Sequence, residues 1–156
     1  MGNSRRSTVA IAVVAALAAP SLATAQQPAF HPGLGDLMTA FVQPRHTKLG
    51  LAGNDKNWLY AAYELSELRE AFDDVAAIVP KYRDSSVPDL IASTVKQPLA
   101  ALDQAIKAKD ANQFSVAYGQ LTASCNACHQ STDHAVIVIQ APTATAFPDQ
   151  DFRPTR

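Results

Sequence analysis

The sequence predicts an all-α domain: an up-down-up-down four-helix bundle followed by an extended C-terminal tail. Three observations carry that expectation. Apolar residues recur at alternating three- and four-residue spacing in four segments, the period of a helix with one buried stripe. Short polar or proline-bearing links separate those segments, which favours antiparallel neighbours. After His134 the helical period stops and Pro142, Pro148 and Pro154 take over.

The chain of 156 residues has room for one domain. Its opening, MGNSRRSTVAIAVVAALAAPSLATA, reads as a signal peptide over residues 1–25. Arg5 and Arg6 precede an apolar run from Val9 to about Ala19, and Ala23-Thr24-Ala25 supplies the small residues a signal peptidase needs. The run is about half the ~20 residues required to span a bilayer, and no cysteine follows it for lipid attachment. The expected product is periplasmic, begins near Gln26, and comprises a bundle domain over 26–140 and a proline-rich tail over 141–156. Removing residues 1–25 takes away two arginines and no acid, leaving 11 basic and 14 acidic side chains, a net charge of about −3. That charge is mild and unclustered. It provides no basic stripe for nucleic acid and no polybasic segment for a membrane surface.

The first helix is expected over about Leu34 to Leu51, with Leu34, Leu37, Met38, Phe41, Val42, Leu49 and Leu51 apolar and Pro44 as a kink. In AGND, residues 52–55, Gly53 suits a helix C′ position and Asn54 or Asp55 an N-cap. The second helix, about Lys56 to Val79, carries Trp58, Ala62, Leu65, Phe72, Ala76 and Val79, widened by Ala61, Leu68 and Val75 and interrupted by Arg69. Glu64, Glu67 and Glu70 read as its solvated face. The third covers about Pro88 to Lys109, with Leu90, Ile91, Val95, Leu99, Leu102 and Ile106 on one side and a bend or break at Pro98. The fourth runs from about Ala111 to His134 and places Phe114, Ala117, Tyr118, Leu121, Cys125 and Cys128 on its buried side.

Cys125-Asn126-Ala127-Cys128-His129 contains both cysteines of the chain. In an exported protein a lone thiol pair should be a disulfide, a metal site, or bonded to a cofactor. C-x-x-C-H is the c-type haem attachment signature. The spacing has a physical basis: two thiols one helical turn apart reach the two vinyl groups on one edge of a porphyrin, and the adjacent imidazole meets the iron as proximal ligand. Other uses of the motif fit less well. A structural zinc site needs four ligands, and only His134 lies nearby to complete it. A thioredoxin-like pair sits at a helix start after a strand, not deep in a helix. A plain disulfide leaves His129 without a role.

An exported four-helix pattern with its single C-x-x-C-H in the last helix resembles the class II c-type cytochromes, cytochrome c-prime and its low-spin relatives. RHTKLGLAG (45–53) paired with NWLYAAYELSEL (57–68) is also similar to a group of small exported cytochromes of this type. The resemblance implies a covalent haem at one end of the bundle, faced on its far side by a side chain from the first helix. This chain differs from the family pattern in a short first helix carrying Pro44 and in a tail of about twenty residues after the attachment site.

Helix geometry ranks the residues able to face the iron. His129 lies about five residues before the expected end of the fourth helix, roughly 8 Å at 1.5 Å per residue, which puts the haem level opposite residues 34–41. Met38 lies in that window and His46 about 12 Å beyond it. Met38 is therefore the favoured sixth ligand, against core filling with an open distal side, and against His46; His134 and His31 rank lower. Arg69, with Arg45 or Lys48, is a candidate partner for the haem propionates, against a snorkelling arginine. Tyr60, Tyr63 and Tyr118 could add a hydroxyl to the pocket.

Two functions fit these residues. A haem with two protein ligands suits an electron carrier meeting redox partner proteins in the periplasm, with weak steering at this charge. An open sixth position in an apolar pocket suits binding of nitric oxide or carbon monoxide. A third possibility is an accessory module whose tail docks on a partner. No nucleophile–base pair, phosphate loop or carboxylate pair indicates an enzyme, and pairing into a homodimer is compatible with bundles of this type.

Overall fold

A computed structural model describes residues 31–155; the expected signal peptide over residues 1–25 lies outside the described residues. The domain is all-α apart from one minute hairpin. Helix α1 (Leu34–Leu37) passes without a break into a π-helical turn (Met38–Val42) and then into α2 (Gln43–Asn54). Helix α3 spans Trp58–Ile78, α4 Val87–Ala108 and α5 Ala111–Ser131, while β1 (Lys81–Tyr82) and β2 (Ser85–Ser86) pair antiparallel between α3 and α4. Four helical rods thus follow one another in sequence. Each packs on the next, and α2 also packs on α5. Among the described residues no helix is long and apolar enough to cross a membrane.

Local chemistry explains where the rods start and stop. Asn57 caps α3 by accepting from the Tyr60 amide at 3.2 Å. Ser86 caps α4, with Pro88 in the first turn. Asp110 caps α5 through the amides of Asn112 and Gln113. Lys109, with φ 54, takes the left-handed position that ends α4. The α2–α3 link differs from expectation. The left-handed residue is Lys56, with φ 56, and the cap is Asn57. Gly53 instead lies inside α2 and is buried, because a β-carbon there would run into the Phe114 ring of α5.

The expected kink at Pro44 appears as the π-helical turn just before it, where the Gln43 amide reaches back five residues to the Met38 carbonyl. Pro98 does not divide α4, which is continuous through it. Helix α5 ends at Ser131, three residues short of expectation. Thr132 turns its hydroxyl back onto the Cys128 carbonyl, and Asp133 adopts φ 62.

The core runs through Leu37, Leu49, Leu65, Leu68, Val75, Leu102, Phe114 and Leu121, all at most 2 % exposed, and supplies most of the favourable free energy of folding. The stripe of α3 is rotated relative to expectation. Its buried positions are Ala61, Glu64, Leu65, Leu68, Ala71, Phe72 and Val75, while Ala62 is exposed. Glu64 was expected in solvent. It is fully buried because Arg45 from α2 meets it at 3.3 Å and the Tyr60 hydroxyl donates to it, so the carboxylate is paired as a buried charge must be.

The tail from Thr132 to Thr155 has no regular structure, as its composition predicts, yet it docks on the chain's own helices. Asn57 donates to the Phe152 and Arg153 carbonyls, Gln150 reaches the Tyr60 hydroxyl, and Phe152 is buried.

Candidate functional site

The C-x-x-C-H residues lie in the last two turns of α5 and open into a cleft. Its walls are built by α1 and the π-helical turn (Leu34, Met38, Val42), α3 (Phe72), α4 (Leu90, Ile91, Val95), and Ile137 and Ile139 of the tail. The enclosed part of the cleft amounts to about 210 Å³, and its mouth is open to solvent. Among the described residues no lysine, arginine or carboxylate lines it.

Both cysteines are free thiols. Burial pushes the Cys125 thiol up to about 11, with Cys128 as a smaller cause. Burial also raises Cys128, against which a hydrogen bond from Thr94 works. The pair is therefore held protonated, the less reactive form of a thiol.

His129 is fixed in one tautomer. Its Nδ1 lies 2.8 Å from the Ile137 carbonyl; a carbonyl can only accept, so Nδ1 carries a proton, and in the neutral ring Nε2 keeps its lone pair. A backbone carbonyl on the other ring nitrogen is how metal-binding imidazoles are oriented. Among the described residues no three His, Cys, Asp or Glu side chains converge on one point.

The structure brings Met38 to the same cleft as Cys125, Cys128 and His129. It also places His46 on the cleft, but spends both of its nitrogens elsewhere. His46 Nε2 lies 3.0 Å from the Thr122 hydroxyl, and Nδ1 lies 3.0 Å from the Tyr118 hydroxyl. The Tyr118 hydroxyl gives its one proton to the His46 carbonyl at 2.7 Å, so its oxygen is an acceptor for His46 Nδ1–H, and Nε2 faces the Thr122 hydroxyl. Burial pulls its pKa down to about 4. His46 is a core histidine closed by its neighbours.

Arg69 is not brought to the cleft. It donates to the Leu99 carbonyl at 3.1 Å and faces Asp103, tying α3 to α4. Arg45 is engaged by Glu64 and Glu67, and Lys48 lies over the Phe147 ring of the tail. Of the tyrosines, Tyr60 serves Glu64 and Tyr118 serves His46, while the cleft receives Tyr82, whose hydroxyl lies 3.2 Å from His134 Nε2.

Sequence reasoning missed Asn126, Thr94, Tyr82 and the Ile137 carbonyl. Asn126 reads only as a spacer within the motif, and a backbone carbonyl has no sequence signal. His134, ranked low by its uncertain surroundings, does line the cleft. No protein-family model matches the chain, and neither does any curated protein or any solved structure.

Proposed function

We propose that this chain is an exported c-type cytochrome that carries one covalent haem and serves as a small periplasmic electron carrier. The observation that carries the reading is the state of His129: Nδ1–H spent on the Ile137 carbonyl and Nε2 left with its lone pair, beside two free thiols at one apolar cleft. The residues present fit a haem. Cys125 and Cys128 would hold it through thioethers, each thiol adding its sulfur and its hydrogen across one vinyl C=C, so that no atom is left over and no oxidant is consumed. His129 would offer Nε2 to the iron. Val42, Phe72, Leu90, Ile91 and Val95 would cover the macrocycle and exclude water. When bound, the haem supplies a one-electron ferric–ferrous couple.

Met38 is the chain's own candidate for the sixth position, since His46 is already satisfied on both nitrogens. With Arg69 committed to α4, cofactor carboxylates would turn to solvent. The packing of each rod on the next suits an up-down-up-down bundle with the haem toward the end of α5. Partners would be redox proteins with a mildly positive docking face, matching the −3 of the mature chain.

A second reading, a haem protein binding nitric oxide or carbon monoxide, is favoured by the apolar walls of the same cleft. One preparation decides. Mass spectrometry of the exported protein is expected to show cleavage before Gln26 and one added porphyrin; a chain of unmodified mass overturns both readings. Absorption spectra of the oxidised and reduced protein, with and without carbon monoxide, then separate them. A low-spin spectrum that resists carbon monoxide and is lost in Met38→Ala supports the carrier, whereas a high-spin spectrum with prompt binding assigns the gas-binding role.

A further inference from the structure

We infer that Asn126, the first spacer of the C-x-x-C-H motif, is a positioning residue for His129 that acts through the C-terminal tail; the inference rests on the proposed haem ligation. Its side-chain amide makes two bonds to one residue. Asn126 Oδ1 accepts from the Ile139 amide at 2.8 Å, and Asn126 Nδ2 donates to the Ile139 carbonyl at 2.9 Å. The pair reproduces the exchange of a peptide group with a strand partner, and the tail is held in register to α5 by it. Ile137, two residues before, carries the carbonyl that takes the Nδ1 proton of His129.

In extended backbone residues 137 and 139 face the same way. Both line the cleft, while Val136 and Val138 point outward at 93 % and 64 % exposed. The outward residues have nothing to grip. The segment is anchored at one foot by the turn in which the Ile137 amide meets the His134 carbonyl, and at the other by Asn126. Asn126 touches neither imidazole nor thiol in this set of bonds. It fixes the carbonyl that fixes the tautomer and direction of the imidazole, a role that outer-shell groups hold in metal sites generally.

The test compares wild type with Asn126→Ala and Asn126→Asp, purified as exported protein and 15N-labelled. In Asn126→Ala both bonds are lost. Hydrogen exchange at the Ile139 amide and at His129 Nδ1–H is expected to quicken about tenfold, the factor of one lost hydrogen bond. The midpoint potential is expected to move positive, because a weaker Nδ1–H bond makes the imidazole a poorer donor to ferric iron. Asn126→Asp keeps the acceptor but sets a carboxylate oxygen against the Ile139 carbonyl, so exchange at the Ile139 amide and at His129 Nδ1–H should quicken there too, and it carries the exchange measurement if the alanine variant does not mature. Unchanged exchange at His129 Nδ1–H in both variants, or an unchanged potential with quickened Ile139 exchange, overturns the inference. A wild-type chain that holds no porphyrin sinks the proposed function alone, since the two exchange rates are read equally well on the bare protein.

Discussion

His46 and His129 both line the cleft beside α5, and the two rings are finished in opposite ways. Around His46 every polar atom is answered from within: Tyr118 and Thr122 take both nitrogens, the Tyr118 hydroxyl also reaches the His46 carbonyl at 2.7 Å, and the ring is 3 % exposed. Around His129 one nitrogen is answered by a backbone carbonyl, and among the described residues no partner answers the other. The difference is one of surroundings: one imidazole is enclosed by core side chains, the other is oriented through a single backbone carbonyl. Proximity to a cleft does not separate the two, since both line it.

The comparison can be broken most sharply at the thiols. Replacing Cys125 and Cys128 together by serine should abolish covalent porphyrin, read as loss of the added mass, while the folded chain persists as judged by circular dichroism. Retention of covalent haem would mean that the open side of α5 is not the site.

The next largest effect is on the closed histidine. His46 has an ordinary pKa of 6.5 that is held near 4 in the folded protein by burial. Between those values the unfolded chain binds the extra proton and the folded one does not. Stability is therefore fully present above about pH 6.5 and falls as pH drops toward 4, by on the order of 3 kcal/mol. Urea unfolding of wild type and His46→Gln across that window checks it; the variant should lose most of this pH dependence. An altered axial-ligand spectrum in His46→Gln would break the contrast, because it would make His46 a ligand.

Smaller still is Thr122→Val, which keeps the shape and leaves His46 Nε2 without its hydroxyl partner. The expected cost is about 1–3 kcal/mol with an unchanged haem spectrum, measured by denaturant midpoint and absorbance. At the bottom of the scale, Arg83→Ala removes an exposed ion pair to Asp133 beside the cleft. No measurable shift in thermal midpoint is expected in physiological salt, and a large one would show that the hairpin braces the His129 side of the cleft.

Much of the helical layout was legible because its signal is local. The apolar periods of α4 and α5 correspond to residues now buried, among them Val95, Leu99, Leu102, Ile106, Phe114, Tyr118 and Leu121. The α2–α3 link was misread for a non-local reason. Gly53 looks like a helix stop, and its small size is needed instead by a ring on another helix, Phe114. Glu64 was misread likewise: a glutamate in a helix is placed in solvent until an arginine on a neighbouring rod is known to meet it. Within the site, the thiols and His129 could be named from spacing alone. Thr94, Tyr82 and the tail could not, since their part depends on which segments close over the cleft.

Taken alone, the order of residues determined that four helical segments form, that the tail carries no helix, and that two thiols and an imidazole lie together on α5. These depend on neighbours three or four positions apart, which a linear pattern records. Tertiary structure decided which histidine is consumed by its surroundings, that Arg69 ties α3 to α4 instead of reaching the cleft, and that the tail returns to hold His129. Those outcomes turn on hydrogen bonds between groups 8 to 76 positions apart, where the choice of partner is set by packing and has no counterpart in local sequence.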